Sequence, residues 1–573
     1  MKRDGRHRDG KPGVESWRDE KPALEPGETA REDSEAVIKY YNLRSAFPPA
    51  VLKEAKLLSR GRGAGVDDEV ASGERLDLRK KFVFTCDPVL ARDYDDAISL
   101  ERDGLGRRVL GVHIADVSHY VAPGGAIDTE AYKRGTSVYL TDRVLPMLPE
   151  ELSNGLCSLV PGKDRLTFSV FMTFNRRGEM VKAKFAKTVI RSQARFTYEE
   201  VMGMINDGEA RSRGPWRKRA RAARRPEPPG AKVVREVHAL AQQLRLRRFL
   251  NGAIDLETPE MRVILDSEGE MTGLEAVAYD ESHQMIEECM VAANEAVAKE
   301  LKSHGIDILS RYHPAPDPDK LLELRRTVQA MGVKCGNIQN KNVFLQFLRT
   351  IKGDALYPTL AVLVLRSMQR ANYDGEHSGH WGLGKEFYAH FTSPIRRYPD
   401  LTLHRQLATY LETKKRHRQA KALQPSTHVL QEWASRSNQA EQRAAEAERA
   451  LVELKKYRVL ENEIASGSRT EYDGIISKVE PFGCFVEIPA LAVSGLLHVS
   501  ALSRSFVKFN ESDLSLSDER GGSWHPGTKV RVVVNSADYS KRHIDFLLAD
   551  PKSRRLPRSD ETANPQGDKT TWN

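Results

Sequence analysis

Four aspartates lie within ten residues of one another, directly behind a run of residues with strand character. They are Asp87, Asp93, Asp95 and Asp96, and the run before them reads KKFVFT. Four ionised carboxylates at this density repel one another, since each pair about 5 Å apart costs roughly 3 kcal/mol at an effective dielectric of about 20. Divalent cations relieve that repulsion, and a ligand set made only of oxygen favours Mg²⁺, with Mn²⁺ as an alternative, over zinc.

Two other interpretations compete for the acidic stretch. A calcium-binding EF-hand loop is excluded by spacing, because counting from Asp93 puts Ile98 where glycine is needed and Gly104 where glutamate is needed. A solvated acidic turn stays open, although the flanking strand and the apolar Phe84 favour partial burial. Oxygen-ligated metals in a basic protein indicate phosphoryl chemistry, in which two ions activate water and stabilise the leaving oxygen of a phosphodiester.

A second constellation is the segment GHWGLGKEFYAHFTSPIRRYPDLTLHR, which spans 379–405. Ser393 followed by Pro394 predicts a helix start, with serine as the N-cap and proline at the first helical position. Arg396 would then lie in the first helical turn, where its guanidinium and free backbone amides face the same anion. Pro399 cannot lie inside that helix and indicates that a second helix starts there.

The two arginines of this segment also have a structural alternative. Either Arg396 or Arg397 could pair with Asp400 or with a distant carboxylate. In that case the arginine stabilises the fold and binds no ligand.

Several aromatic residues could stack on nucleic acid bases, because every base offers a π-face to an exposed ring. One lies in SVYLTDRVLPMLP and three lie near the C-terminus; they are Tyr139, Phe482, Phe485 and His498. Packing in the core is the alternative for each of them. His113 and His119 are assigned to packing or local hydrogen bonds and not to metal binding.

The composition places these residues in a large protein with a soluble character. The 573 residues are 40% hydrophobic and include five scattered cysteines without a CxxC pair, which supports neither a disulfide framework nor a structural zinc site. No apolar run reaches the length of a membrane span, and the N-terminal region has no secretory signal. We therefore expect a monomeric cytoplasmic protein.

The net charge of +9 is concentrated in one segment. Residues 211–235 contain ten lysines and arginines and a single acid, Glu227. Such a block attracts polyanions through counterion release, and a solvated insertion loop without function is its alternative. A second basic cluster, 552–558, lies in the C-terminal tail.

Periodicity and punctuation divide the chain into six parts. Extended β-branched runs alternate with helical stretches in the largest part, which indicates an α+β fold, and five short strands near the C-terminus indicate a small closed OB barrel. The predicted parts are a disordered charged arm (1–35), a helical connector (36–74), a large mixed α/β catalytic domain (75–410), a helical segment that closes it (411–468), the all-β barrel (469–550) and a basic disordered tail (551–573).

Five motifs, in this order, resemble the catalytic domain of the ribonuclease II superfamily, and the terminal barrel resembles the S1 domain of that family. The motifs are DPVLARDYDDAISL, HIADVSHYV, LPMLPEELSNGLCSL, ESHQMIEECMVAAN and YAHFTSPIRRYPDL. The ARDYDDA and HFTSPIRRYPD forms look more like the ribonuclease R branch than ribonuclease II proper. The resemblance covers about 36–548 and implies an RNB-type catalytic domain followed by S1.

The resemblance implies a processive 3′-to-5′ exoribonuclease that hydrolyses single-stranded RNA to nucleoside 5′-monophosphates with Mg²⁺. By motif position, Asp95 is implied as the aspartate most critical for turnover and the other three as metal ligands, so that all four join the metal site. Tyr139 is implied to stack on or clamp the 3′-terminal nucleotide. Arg396 is implied to contact the scissile phosphate, with Arg397 beside it in the RNA-binding set, while the S1-like barrel grips the strand.

The chain departs from the family before the catalytic domain. About 80 residues leave no room for the two cold-shock OB domains found there in ribonuclease II and ribonuclease R. We therefore expect a naturally short variant, a misplaced gene start, or a partner such as a separate cold-shock-type protein or an RNA-degradation assembly. The alternative function is an RNA-binding protein with weak or no nuclease activity, and a metal-dependent nuclease acting on DNA is a third.

Overall fold

The computed structural model describes eight stretches of the chain, namely 24–61, 66–212, 227–256, 261–277, 279–354, 356–415, 424–511 and 513–549. Residues 1–23 of the predicted arm, most of the basic block and the predicted tail lie outside the described residues. No helix in these stretches combines the length and the apolar character that a bilayer span requires.

A seven-stranded sheet forms the centre of the large domain. The strands in this part are β1 (Leu76–Asp77), β2 (Phe84–Cys86), β3 (Asp96–Arg102), β4 (Arg108–Ala115), β5 (Val138–Tyr139), β6 (Val144–Leu145), β7 (Asp164–Phe174), β8 (Met180–Arg191) and β9 (Ala194–Phe196). The sheet order is β1-β8-β7-β4-β3-β2-β9, and only the two outermost pairs are parallel. β5 and β6 form a separate hairpin.

Helices cover both faces of this sheet. Those of the first half of the chain are α1 (Asp33–Tyr40), α2 (Pro49–Arg60), α3 (Val66–Ala71), α4 (Val117–Tyr120), α5 (Ala126–Arg134), α6 (Tyr198–Ser212), α7 (Ala231–Leu250) and α8 (Glu281–Ser303). Phe84 and Ile98 pack with α6, α7 and α8, whereas Val83 and Ala97 pack with α2 and α5. Successive strand residues thus point to opposite faces, and both faces are apolar because both are buried.

The second half of the large domain is mainly helical. Its elements are β10 (Met261–Leu265), β11 (Met271–Ala276), β12 (Ser310–Tyr312), α9 (Pro318–Ala330), α10 (Lys341–Ile351), α11 (Tyr357–Ser367), β13 (Asn372–Asp374), α12 (Tyr398–Lys415) and α13 (Thr427–Ala465). Helices α9, α10 and α11 enclose an apolar cluster of their own. Short helical turns occupy Ala30–Glu32, Glu151–Leu156 and Trp381–Leu383.

The C-terminal part is the predicted five-stranded barrel. Its elements are β14 (Tyr472–Glu480), β15 (Gly483–Ile488), β16 (Val493–His498), α14 (Val499–Leu502), β17 (Val507–Asn510), β18 (Ser515–Asp518), β19 (Ser523–Trp524), β20 (Lys529–Asp538) and β21 (His543–Leu548). Strands β14-β15-β16-β21-β20 close the barrel, and β17, β18 and β19 add a small sheet beside it. The predicted fold class, a mixed α+β domain followed by an all-β barrel, is confirmed.

The prediction that 1–35 form a disordered arm is wrong for the last residues of that range. A helical turn occupies Ala30–Glu32 and α1 begins at Asp33, inside the segment assigned to disorder. Asp33 is fully buried and pairs with Lys455 at 3.0 Å and with Arg458 at 2.7 Å. The charges that suggested solvation are therefore neutralised by α13, more than 400 residues further along the chain.

Candidate active site

Three of the four aspartates lie on the loop between β2 and β3, at one end of the central sheet, and the fourth lies where that loop meets β3. The two strands pair antiparallel at Phe84 and Ile98, so the end of β2 and the start of β3 lie at the same edge. Asp87 follows β2, and Asp96 is the first residue of β3. Strand pairing therefore brings the two ends of the acidic stretch together.

A buried serine supports the middle of this loop. The Ser158 hydroxyl accepts a hydrogen bond from the Tyr94 N–H at 3.0 Å and donates one to the Arg92 carbonyl at 2.7 Å. Ser158 is fully buried. Its two hydrogen bonds hold the backbone on either side of Asp93 and immediately before Asp95.

An arginine fastens the first half of the same loop. Arg195 lies on β9, which pairs with β2, and donates to the Pro88 and Val89 carbonyls at 2.8 and 2.9 Å. Its guanidinium also lies 5.3 Å from the centre of the Tyr94 ring. Ser158 and Arg195 thus hold the loop through backbone groups and not through the carboxylates of the aspartates.

Asp95 joins the aspartate loop to the arginine segment. It is only 5% exposed. Its Oδ1 accepts a hydrogen bond from the Ile395 N–H at 3.0 Å, and its Oδ2 lies 3.7 Å from Arg396 Nε. The two sets of residues that the sequence singled out separately, 300 positions apart, therefore form one site.

The arginine segment differs from its predicted conformation. Residues 394–396 form a turn and α12 begins at Tyr398, so Arg396 precedes the helix and does not lie in its first turn. Pro399 occupies the second helical position, as expected for a helix that starts at this point. Ser393 does not cap a helix at this position, but its hydroxyl accepts a hydrogen bond from Arg396 Nη2 at 3.1 Å.

Arg397 forms the ion pair that was left open as an alternative. Its Nη2 donates to Asp400 Oδ1 at 2.8 Å, and the same oxygen accepts a hydrogen bond from the Ser393 N–H at 2.8 Å. The side chain of Arg397 is 18% exposed, whereas that of Arg396 is 43% exposed. The structural role is thus confirmed for Arg397, and its contact with RNA stays a prediction.

Tyr139 lies on the β5–β6 hairpin, next to the arginine segment. The Ser137 N–H donates to the Arg396 carbonyl at 3.0 Å, which ties the base of the hairpin to that segment. The Tyr139 N–H donates to Glu448 Oε1 on α13 at 2.9 Å. Tyr139 remains 43% exposed. Burial of the rest of the residue raises the pKa of Tyr139 to about 12, although the positive charge of Arg396 acts in the opposite direction.

Burial dominates the electrostatics of Asp87, Asp95 and Asp96. It raises the pKa of Asp87 to about 8, with repulsion from Asp96 as the second cause. It raises the pKa of Asp96 to about 6, although Arg396 opposes the change. The pKa of Asp95 also lies well above its usual range because of burial, against the charge of Arg396 and the Ile395 N–H. A cation placed among such carboxylates restores their ionised forms.

The oxygens of this loop suit a hard cation. Asp87 Oδ2 is buried and meets no hydrogen-bond donor within the described part of the chain. No three His, Cys, Asp or Glu side chains among the described residues are already gathered around one point as a metal site. Mg²⁺ commonly takes one or two carboxylates and completes its shell with waters and substrate phosphates. The donors therefore fit Mg²⁺ bound together with a phosphodiester, and the ligand set of four aspartates stays a prediction.

The three aromatic residues predicted on the barrel surround the β15–β16 pair. Phe482 is 48% exposed, and its ring lies edge-on to that of half-buried Phe485 at 6.3 Å. His498 is exposed, and its Nδ1 lies 2.9 Å from Ser500 Oγ. These positions belong to the barrel and not to the aspartate–arginine contact. Packing in the core is excluded for Phe482 and His498.

The two histidines assigned to structure take that role. His113 is fully buried between the Ser99 and Ser169 hydroxyls at 2.9 and 2.6 Å, and burial lowers its pKa to about 3. His119 lies 3.4 Å from Arg75. The prediction of packing and local hydrogen bonds is confirmed for both.

Three residues that shape the site were not predicted from the sequence. They are Ser158, Arg195 and Glu448, which act through backbone groups of the loop and the hairpin. Ser158 lies within the motif LPMLPEELSNGLCSL, and that was its only signal in the sequence. Nothing in the sequence around Arg195 or Glu448 distinguishes them from other charged residues.

The chain is similar to known ribonucleases in sequence. Residues 75–413 match the RNB domain family, and residues 468–548 match the S1 RNA binding domain family. Ribonuclease R of Thermotoga maritima is 37% identical over 507 residues, which cover 88% of this chain and 68% of that protein. The chain spans 60 to 70% of the length of the first ribonuclease R relatives that it matches.

Solved structures share the fold. RNase R of Mycoplasma genitalium, in complex with ribose-methylated single-stranded RNA, is 26% identical and matches with a TM-score of 0.78, covering 92% of this chain and 79% of that chain. Yeast Ssd1, a pseudonuclease, is 19% identical with a TM-score of 0.61, covering 78% and 53% of the two chains. At that identity the likeness to Ssd1 concerns the fold alone.

Proposed function

The chain belongs to the RNB family, and on that premise we propose that it is a 3′-to-5′ exoribonuclease acting processively on single-stranded RNA and releasing nucleoside 5′-monophosphates. The observation that carries the proposal is the contact of Asp95 with the Ile395 N–H and with Arg396. It joins a group of carboxylates to a partly exposed guanidinium. Both suit the hydrolysis of a phosphodiester, because the reaction develops negative charge on an already anionic phosphate and metal ions or a guanidinium can stabilise it.

The exposed side chains of the site have separate tasks in this proposal. Arg396 is held by Ser393 and retains 43% exposure, so its guanidinium can donate to the scissile phosphate. The ring of Tyr139 offers a stacking surface for the 3′-terminal base. Selection of RNA over DNA would come from contacts with the ribose 2′-hydroxyl.

Mg²⁺ is the proposed cofactor, with Mn²⁺ as a substitute. Asp87, Asp93 and Asp96 would hold it together with the substrate phosphate, and the orphaned Oδ2 of Asp87 supports this assignment. The bound ions would supply an activated water and neutralise the charge of the phosphate. Asp95 holds the aspartate loop and the arginine segment in fixed positions relative to each other through its hydrogen bond with the Ile395 N–H.

The barrel and the arginine segment would share the RNA. Phe482, Phe485 and His498 surround one strand pair, where an extended single strand could stack on the rings. A strand held there and at Tyr139 stays bound after each cleavage. That arrangement supports processive degradation from the 3′ end.

The second candidate is an RNA-binding protein with weak or no turnover. It is motivated by the 60 to 70% of the relatives' length that this chain spans, and by the basic segment 211–235, which suits binding of polyanions. The four aspartates, Tyr139 and Arg396 are all present, which favours the enzyme. Tight RNA binding with turnover no better than that of Asp95→Asn would favour the binding protein.

The direct test uses the full chain with 5′-labelled single-stranded RNA and Mg²⁺. We expect a ladder of products shortened from the 3′ end, with release of 5′-monophosphates and loss of activity in EDTA. Asp95→Asn is the matched control for contaminating nuclease. Internal cuts, or equal digestion by wild type and control, would contradict the proposal. Single-stranded DNA digested in parallel decides between RNA and DNA as the substrate.

A further inference from the structure

The backbone that leads to Arg396 runs through the core without regular secondary structure. Residues 387–393 belong to neither a helix nor a strand, and Phe391 is fully buried. A buried peptide group needs hydrogen-bond partners, and those of Phe391 are not backbone groups of the described residues. Side chains from two helices supply them instead.

An asparagine of α8 holds the N–H of Phe391. Asn294 Oδ1 accepts that hydrogen bond at 2.8 Å, and Asn294 Nδ2 donates to the Tyr388 hydroxyl at 3.2 Å. Because the Phe391 N–H can only donate, the oxygen of the amide must face it. Asn294 is 3% exposed and lies among apolar residues of α8 such as Ala293 and Val297. An amide is buried there at a cost unless it is hydrogen-bonded, and both of these bonds go to the segment before Ser393.

A histidine of α12 holds the carbonyl of the same residue. The His404 Nε2–H donates to the Phe391 carbonyl at 2.8 Å, and the two rings stack with their centres 4.3 Å apart. The His404 ring also meets Phe168 of β7 edge-on at 5.1 Å. His404 is fully buried, and its Nδ1 has no hydrogen-bond partner within the described part of the chain. The ring therefore uses its N–H on Phe391.

The residue held by these two side chains lies just before the contacts of the active site. Phe391 is four residues before Ile395 and five before Arg396. The Ile395 N–H donates to Asp95, and Arg396 is the partly exposed cation of the site. Residues 391–395 are all buried in close packing, which transmits a displacement instead of absorbing it. The position of Phe391 therefore determines where Ile395 and Arg396 lie relative to the aspartates.

We propose that Asn294 and His404 are positioning residues for the reaction, which act through the Phe391 backbone and set where Arg396 meets the scissile phosphate. The inference rests on the proposed function. If the two residues served packing alone, apolar side chains of similar volume would replace them without loss of rate. Positioning instead requires the acceptor of Asn294 and the donor of His404.

The test measures single-turnover digestion of 5′-labelled RNA by the full chain, with enzyme in excess and Mg²⁺ present. Asn294→Leu removes the acceptor, whereas Asn294→Asp keeps an oxygen for the Phe391 N–H. His404→Phe removes the donor and keeps a ring. The matched control is Gln406→Leu, because Gln406 is also 3% exposed and its amide donates to the Asp307 carbonyl at 2.8 Å. Urea unfolding gives the stability of each variant.

We expect Asn294→Leu and His404→Phe each to lower the rate at saturating enzyme about 10- to 100-fold, since a displacement of about 1 Å can cost about 100-fold. The enzyme concentration that gives half of that rate should change little, because phosphate contacts dominate affinity. Asn294→Asp should keep most of the rate, although a buried carboxylate makes the fold less stable. Gln406→Leu should lose stability and keep its rate.

A second comparison tests whether the effect passes through Arg396. Arg396→Gln removes the charge that the two residues are proposed to position. In that background Asn294→Leu should cost about 2-fold or less, whereas the losses of two independent changes multiply. His404→Phe should behave in the same way, and it carries the test alone if Asn294→Leu does not fold.

Three results would overturn the inference. Losses of rate that follow the losses of stability, with Asn294→Asp as slow as Asn294→Leu, would assign the asparagine to packing. A loss of rate in Gln406→Leu as large as that of Asn294→Leu would show a general effect of buried amides. An undiminished loss in the Arg396→Gln background would show that the asparagine acts elsewhere. Failure of the proposed function looks different, since the wild type would then not shorten the RNA from its 3′ end.

Discussion

Replacing Ser158 with alanine tests whether the aspartate loop is positioned by the hydroxyl beneath it. That hydroxyl is fully buried and makes hydrogen bonds with the Tyr94 N–H at 3.0 Å and the Arg92 carbonyl at 2.7 Å. A buried hydrogen bond contributes about 1 kcal/mol net, and a buried group left without a partner costs about 1 to 3 kcal/mol. We expect Ser158→Ala to lower the free energy of unfolding by about 2 to 4 kcal/mol.

The more specific consequence is a loss of turnover. Asp93 and Asp95 flank Tyr94, so a backbone released at that position moves both carboxylates. A displacement of about 1 Å can cost about 100-fold in rate, and we expect kcat to fall by about 10- to 100-fold. The affinity for RNA should change little, because it comes mainly from lysine and arginine side chains that neutralise phosphates, and the aspartates of this loop do not contribute to that.

Urea unfolding and single-turnover digestion of 5′-labelled RNA, well below the unfolding transition, measure the two effects. Ser99→Ala is the matched control, since Ser99 is also buried and its hydroxyl lies 2.9 Å from His113 within the sheet. It should lose stability without losing kcat. If Ser158→Ala keeps the wild-type kcat while losing as much stability as the control, the serine does not position the loop.

The remaining predictions concern other contacts of the molecule. Asp95→Asn should abolish turnover and leave RNA binding intact in a filter assay; lost binding would assign the residue to folding. Tyr139→Ala should weaken binding of RNA by about 1 to 3 kcal/mol if the ring stacks on one base, and an unchanged Kd would exclude stacking. Asp33→Asn leaves Lys455 buried without its charge partner, so urea unfolding should show a loss of about 3 to 5 kcal/mol, and a negligible loss would show that the N-terminal contact is loose. Because burial lowers the pKa of His113 to about 3, the unfolded chain takes up a proton below pH about 6.5 that the folded chain does not. Stability should therefore fall by about 2 kcal/mol between pH about 7.5 and about 5, and His113→Gln should remove that share of the fall.

The fold could be predicted where its causes are local. The alternation in KKFVFTCD and RRVLGVHIAD predicts strands, and the five short runs near the C-terminus predict the barrel that the structure contains. Such a pattern depends on which side chains of a segment face the core, and the spacing of apolar residues within the segment is enough to show this.

Features that depend on distant partners could not be predicted. The charged residues before α1 suggested disorder, but Asp33 is buried because Lys455 and Arg458 neutralise it. Ser393 and Pro394 have the residue types of a helix start, yet the helix begins only at Tyr398. The Ser393 N–H donates to the buried carboxylate of Asp400, seven residues further along the chain, and this contact overrides the preference of Ser393 for an N-cap position.

The two neighbouring arginines show most clearly what the sequence alone leaves undecided. Both could have bound a ligand or a carboxylate, and the structure separates them by geometry. Arg397 donates to buried Asp400 at 2.8 Å, whereas Arg396 Nε lies 3.7 Å from Asp95, too far for a hydrogen bond. If Arg396 formed a hydrogen bond with Asp95, the carboxylate of Asp95 would neutralise its charge within the protein. The Arg396 guanidinium donates a hydrogen bond to Ser393 and stays 43% exposed, so it can turn to a phosphate while Asp95 remains anchored by the Ile395 N–H.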